Sequence, residues 1–106
     1  MSFHRVLDVE SLWPGEMKGV IVSSTRVLLV NVDGALFAFE DRCLHKGVEL
    51  SKGALSGDIL TCSAHAWQYD VRSGEGVNPT GVRLRQFPVK VEGNDILVDV
   101  GGERGR

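Results

Sequence analysis

The chain has 106 residues, of which 42% are hydrophobic and 25% are charged. This length suits one compact domain over residues 1–106 with a modest core, and it leaves little room for a second domain. Fourteen acidic residues against twelve basic ones give a net charge of −2, which excludes the concentrated positive charge of a nucleic-acid-binding protein.

The first forty residues have the pattern of a β meander. His4 falls in a first strand, with no ligand-type neighbour at a suitable spacing, and we interpret it as a surface histidine. Apolar residues then alternate along the chain, and Asp33-Gly34 provides turn chemistry between two strands. The predicted elements, in chain order, are a strand at His4, a helical turn over residues 9–13, and strands around residues 20–22, 27–32 and 35–40.

Between Glu40 and Val82 the pattern changes, because glycines interrupt the chain at short intervals. Short strands are predicted at Ile59–Thr61 and Trp67–Tyr69. We therefore expect an inserted lobe over about residues 41–81, in the same domain as the strands that flank it.

Residues 81–100 predict the strands that complete the base of the fold. Alternation over Val82–Val91 indicates a strand in which Pro88 marks a bulge or an edge. A turn over Glu92–Asp95 then leads to a terminal strand, Ile96–Val100, which pairs with the strand before it. The predicted fold class is all-β, with antiparallel strands.

Two short motifs hold both cysteines and two of the three histidines: Cys43-Leu44-His45 and, after sixteen residues, Cys62-Ser63-Ala64-His65. Zinc and iron both accept two thiolates and two imidazoles. A Cys2His2 zinc finger pairs Cys with Cys and His with His, whereas each motif here is mixed. Mixed motifs favour a binuclear cluster in which one iron takes both cysteines and the other takes both histidines. A structural zinc site is the alternative.

This pattern of C-x-H, sixteen residues and C-x2-H resembles the signature of the Rieske family. Residues around the motifs strengthen the resemblance: Gly47, Leu50, Gly53, Gly57-Asp58, Trp67, Tyr69-Asp70 and Gly74. The resemblance implies a Rieske fold, an antiparallel β sandwich or barrel with an inserted cluster-binding lobe. It also implies a 2Fe-2S cluster whose ligands are Cys43, His45, Cys62 and His65.

Four further residues have roles that the resemblance implies. Gly47 shapes the first ligand loop, as an ordinary turn glycine or by letting backbone N–H groups approach the cluster, and Gly53 has the same two interpretations. Asn78-Pro79 matches the proline loop that covers the cluster in this family, although Pro79 is also an ordinary turn residue. Trp67 either shields the cluster or fills the core of the lobe.

The midpoint potential is expected near the low end of the Rieske range of roughly −150 to +300 mV. High-potential relatives carry a serine two residues after the last ligand and a tyrosine two further on, each donating a hydroxyl toward the cluster. Here Trp67 replaces the serine, while Tyr69 is retained. Respiratory Rieske proteins also have an extra cysteine in each motif, where this chain has Val48 and Ala64.

The chain is too short for a substrate pocket, so the resemblance implies a ferredoxin, an electron carrier rather than the enzyme that oxidises a substrate. Its donor would be an NADH-dependent reductase that contains flavin or an iron–sulfur centre. Segments such as Leu12-Trp13, Ala64-His65-Ala66-Trp67 and Gly74–Pro79 resemble the ferredoxins of toluene monooxygenases, which implies a diiron hydroxylase as acceptor. Alternatives are the ferredoxin of an aromatic dioxygenase and a Rieske-like small subunit of a nitrite reductase.

No apolar run reaches the eighteen residues of a membrane span, and the N-terminal residues do not have the pattern of a signal peptide. Because both cysteines are assigned to the metal, no disulfide is expected. We therefore expect a cytoplasmic protein that does not bind a membrane and is monomeric when free.

Overall fold

The computed structural model describes residues 3–44, 47–64 and 66–101. Within these ranges the chain forms eleven strands in three antiparallel sheets, which confirms the predicted all-β class. The strands are β1 (His4–Asp8), β2 (Met17–Val22), β3 (Thr25–Val32), β4 (Ala35–Glu40), β5 (Ala54–Ser56), β6 (Ile59–Thr61), β7 (Gln68–Asp70), β8 (Gly76–Asn78), β9 (Gln86–Phe87), β10 (Val89–Glu92) and β11 (Asp95–Val98). Two single 3-10 turns, Val9–Ser11 and Leu50–Lys52, lie between strands.

The base is built from two of these sheets, with strand orders β1-β11-β10 and β2-β3-β4-β9. Two-residue turns join β2 to β3 and β3 to β4, and all four turn residues have positive φ angles, from +49° at Ser23 to +94° at Gly34. Such turns match the right-handed twist of the strands they join. The predicted meander is therefore confirmed for β2, β3 and β4, whereas β1 pairs with β11 in the other sheet of the base.

Strand β3 lies between two hydrophobic cores, because its successive side chains point to opposite faces. Leu28 and Val30 belong to one core, and Val27 and Leu29 belong to the other, all with no exposed surface. This explains why β3 is apolar on both faces instead of alternating.

The third sheet has the order β5-β6-β7-β8, and the second motif lies in the chain between its strands β6 and β7. Leu60 and Tyr69 from this sheet are fully buried in the same core as Leu28 and Phe39 from the base. The third sheet and the base therefore share one core, and that core also contains Cys43 and Cys62.

The prediction of one strand over Val82–Val91 is wrong. Residues 82–85 form only an isolated bridge between Arg83 and Glu75, and the alternation there reflects one buried side chain, Leu84, between exposed arginines. Pro88 separates β9, which pairs with β4, from β10, which pairs with β11, so it marks a change of sheet.

Two predicted strands also differ in their bounds: Trp67–Tyr69 is observed as Gln68–Asp70, and Ile96–Val100 as Asp95–Val98. The last strand ends at Val98 instead of Val100, because Asp99 donates its N–H to Pro88 and accepts the N–H of Gly101, which turns the chain. Strand β7 begins one residue after Trp67.

Among the described residues, none of the helical segments has the length and apolar character needed to cross a bilayer.

Candidate metal centre

The first motif follows β4 and forms a tight loop. Cys43 accepts the N–H of Gly47 on its carbonyl at 2.8 Å and donates its own N–H to Val48 at 2.8 Å. Gly47 has a φ of +72°, which a residue with a side chain adopts only with strain. Since the N–H of Gly47 is used within the loop, its turn role is the one that the structure supports.

The second motif follows β6 and is closed in a similar way. Cys62 donates its N–H to the carbonyl of Trp67 at 2.8 Å, and Ala66 has a φ of +56°. The N–H of Ala64 points at the Sγ of Cys62, 3.5 Å away. No sequence pattern predicts this contact, because it depends on the backbone conformation of the loop.

The two thiols lie together in the shared core, with exposed fractions of 1% for Cys43 and 2% for Cys62. Burial raises the pKa of Cys62, the Ala64 N–H lowers it, and a hydrogen bond with Cys43 raises it further. Two adjacent buried thiolates repel each other, whereas a soft metal ion stabilises both in their ionised form. The described donor pair therefore fits a metal group with two thiolate ligands.

Tyr69 on β7 contacts the first motif through its hydroxyl. Its hydroxyl lies 3.5 Å from the Sγ of Cys43 and accepts the N–H of Leu44 at 3.3 Å. Burial raises the pKa of Tyr69, and the contact with Cys43 raises it further. The hydroxyl therefore keeps its proton and is able to donate a hydrogen bond to the sulfur.

His45 and His65, the proposed imidazole ligands, lie outside the described residues, as does Lys46. Their immediate neighbours Leu44, Ala64 and Ala66 are described and lie in the two ligand loops. The grouping of four ligands therefore remains a prediction, and the structure describes two of its residues, Cys43 and Cys62, buried in the same core.

The remaining predicted residues lie in different parts of the fold. Trp67 is partly buried and packs against the shared core, which supports the packing interpretation. Asn78-Pro79 has a cis peptide bond at the end of β8, the strand next to β7. Gly53 lies close to β6: a Cβ at this position would be 2.2 Å from the carbonyl oxygen of Thr61. Its role is therefore close backbone packing. His4 is exposed, as predicted.

Comparison with known proteins gives a consistent result. The Rieske [2Fe-2S] domain family matches residues 2–88. The ferredoxin component of the alkene monooxygenase system of Xanthobacter autotrophicus is 44% identical over 99 residues, covering 92% of this chain and 81% of the relative. The biphenyl dioxygenase ferredoxin subunit of Pseudomonas sp. (strain KKS102) is 38% identical over 101 residues, covering 93% of each chain.

A solved structure is also similar. It is the ferredoxin of carbazole 1,9a-dioxygenase from Nocardioides aromaticivorans IC177, with a TM-score of 0.84 and 27% identity. The match covers 92% of this chain and 97% of the solved one. The similarity therefore extends over most of both chains.

Proposed function

Because this chain belongs to the Rieske [2Fe-2S] domain family, we propose that it is the ferredoxin of a hydrocarbon monooxygenase. In this proposal it carries single electrons from an NADH-dependent flavin or iron–sulfur reductase to a diiron hydroxylase, with a toluene-type arene as the substrate class of the hydroxylase. The Rieske 2Fe-2S cluster is the group that holds the electron.

We assign Cys43 and Cys62 to one iron of this cluster and His45 and His65 to the other. Support comes from the paired buried thiols and from the order of ligands in the two motifs. Neutral imidazoles leave the oxidised cluster with less negative charge than four thiolates would, so the cluster accepts an electron more readily. In this proposal the Tyr69 hydroxyl keeps its proton and donates a hydrogen bond to the Cys43 sulfur, which stabilises the added charge.

One observation favours a monooxygenase over a dioxygenase: 44% identity to the alkene monooxygenase ferredoxin against 38% to the biphenyl dioxygenase subunit. Both relatives are named as ferredoxins of oxygenase systems, so the role of electron carrier is common to the monooxygenase and the dioxygenase candidates.

The absence of a disulfide between the two described cysteines is compatible with a cytoplasmic site of action.

The second candidate is the ferredoxin of an aromatic-ring dioxygenase, whose acceptor is itself a Rieske oxygenase. It is supported by the biphenyl dioxygenase relative and by the fold of the carbazole dioxygenase ferredoxin. The two candidates share the cluster and differ in the acceptor. The rate of electron transfer to each acceptor therefore distinguishes the two candidates, whereas the spectrum of the cluster does not.

Stopped-flow reoxidation of the reduced, cluster-containing protein tests the proposal. The two acceptors are a diferric arene monooxygenase hydroxylase and the terminal oxygenase of an aromatic dioxygenase. We expect faster reoxidation by the diiron hydroxylase, on the order of tenfold or more, since each tenfold in rate requires only about 1.4 kcal/mol of difference in barrier.

Faster transfer to the dioxygenase component would replace the first candidate with the second. The Cys62→Ser variant is the control for the ligand assignment, because loss of one thiolate should abolish the visible absorption of the cluster. The Ser63→Ala variant changes the exposed neighbouring residue and should assemble the cluster normally.

A further inference from the structure

Asp41 is a buried carboxylate just before the first ligand loop, with only 2% of its surface exposed. One carboxylate oxygen accepts the N–H of Ser51 at 2.8 Å, and the other accepts the hydroxyl of Ser51 at 2.7 Å. Asp41 also donates its own N–H to the carbonyl of Arg26 on β3 at 2.9 Å. The Asp41 side chain therefore joins both ends of the segment 42–50, which contains Cys43, and the Asp41 backbone N–H connects that segment to the base.

Gly19 in the middle of β2 makes room for this pair of residues. A Cβ at position 19 would lie 2.7 Å from the Asp41 carboxylate and 2.7 Å from the Ser51 hydroxyl. Glycine in a strand interior weakens the strand and often marks a place where another group approaches closely. Here the approaching group is the hydrogen-bonded pair Asp41–Ser51.

A second set of contacts on the same segment is weaker. Arg26 lies 3.6 Å from Glu49, and Lys52 lies 3.2 Å from the same carboxylate, with side chains that are between 35% and 72% exposed. Ion pairs at such exposure contribute little, because water and salt screen them. The buried pair is different, since a buried carboxylate that loses its donors keeps the full penalty of desolvation. Among these side-chain contacts, the pair Asp41–Ser51 therefore contributes most to the position of the segment.

We propose that Asp41 and Ser51, with Gly19 as the space that admits them, are positioning residues for the 2Fe-2S cluster. They hold the segment 42–50 in the position in which the Cys43 sulfur lies next to the Cys62 sulfur. The proposal rests on Cys43 as a cluster ligand, and it does not depend on which oxygenase receives the electron.

The test uses four variants of the cluster-containing protein. Ser51→Ala removes the hydroxyl donor, Asp41→Ala removes both acceptors, and Gly19→Ala pushes the pair apart while leaving both residues in place. Asp41→Asn is the conservative variant, because an amide can accept the Ser51 N–H and donate to the Ser51 hydroxyl. Three quantities are measured: iron release to a chelator, the EPR spectrum of the reduced cluster, and the unfolding temperature.

We expect iron release to be about tenfold faster in Ser51→Ala and Gly19→Ala, the size of effect typical for residues that orient metal ligands. Their EPR g values should shift from those of the wild type, and Asp41→Asn should lie closer to the wild type than Asp41→Ala. If Asp41→Ala does not fold, Ser51→Ala and Gly19→Ala still decide the matter, since each keeps the carboxylate.

Matched controls are Ser56→Ala, which removes an exposed hydroxyl from β5, and Lys18→Ala, which places alanine next to Gly19 on β2. Both should release iron at the wild-type rate. A lower unfolding temperature in Ser51→Ala and Gly19→Ala with unchanged iron release and EPR spectrum would overturn the proposal, since the pair would then stabilise the fold without positioning the cluster. Loss of the cluster in the variants but not in Cys43→Ser would refute the ligand assignment instead.

Discussion

At the scale of single residues, the hydroxyl of Tyr69 is a described group in contact with one of the two cysteine sulfurs. It lies 3.5 Å from the Cys43 sulfur and accepts the Leu44 N–H at 3.3 Å. Reduction adds negative charge to the cluster, and a hydrogen bond to a ligand sulfur stabilises that charge. The sequence alone indicated this residue through its position after the second motif, while the contact with the first motif is a property of the fold.

Replacing Tyr69 with phenylalanine should lower the midpoint potential. A differential stabilisation of about 1 kcal/mol corresponds to about 40 mV for one electron, from the 59 mV that accompany a tenfold change in equilibrium constant. Potentiometry of the wild type, of Tyr69→Phe and of the control Ser11→Ala measures the shift. An unchanged midpoint in Tyr69→Phe would show that the hydroxyl does not donate to the sulfur.

At the scale of elements, the third sheet depends on close backbone approaches that only glycine permits. Gly53 follows the 3-10 turn Leu50–Lys52 and donates its N–H to Leu50 at 2.9 Å. Its missing side chain lets the turn lie directly against the Thr61 carbonyl on β6. Because that neighbour is backbone in a sheet, it cannot rotate away as a side chain could.

Gly53→Ala should therefore destabilise the protein by about 3 kcal/mol, at the upper end of the range for overpacking. Gly57→Ala is the matched control, since Gly57 has a φ of +60° but no atom within 4 Å of the added methyl group. Gly57→Ala should lower the free energy of unfolding by about 1 kcal/mol, because alanine is strained at a positive φ. Denaturant unfolding gives both values, and equal losses in the two variants would contradict the close-approach argument.

At the scale of the whole molecule, the ligand loops and the base share one core. Leu60 from β6 and Leu28 from β3 are both fully buried in it, together with the two cysteines. The second core lies on the other face of β3 and contains Ile96 and Val98 from β11. Because β3 contributes to both, the third sheet should not unfold independently of the base.

Leu60→Ala should lower the free energy of unfolding by about 2 to 5 kcal/mol, as is typical for a leucine removed from a core. Visible circular dichroism follows the cluster, and far-ultraviolet circular dichroism follows the sheets. Both transitions should move together to lower denaturant concentration. Loss of the visible signal well before the far-ultraviolet signal would mean that the third sheet unfolds alone. Ile21→Ala, at a side chain that is 73% exposed, should change neither transition appreciably.

Much of the fold was predictable because the relevant signals are local. Alternation and two-residue turns predicted β2, β3 and β4, and β6 was predicted with its observed bounds. The segment 82–91 was not predictable in this way, because alternation there came from a single buried leucine. The change of sheet at Pro88 depends on which distant strands, β4 and β11, are available to pair.

The sequence by itself determined the chemistry of the candidate centre, because ligand type and spacing along a short loop are fixed by covalent structure. The sequence contains the two mixed motifs, and from them we could predict a binuclear cluster and a family. Only the tertiary structure decided that the two thiols are buried together, that Tyr69 contacts Cys43 across 26 positions of sequence, and that Asp41 binds Ser51 against Gly19. These contacts join residues from different sheets and loops. Their distances are therefore set by packing around β3, which no local pattern in the chain encodes.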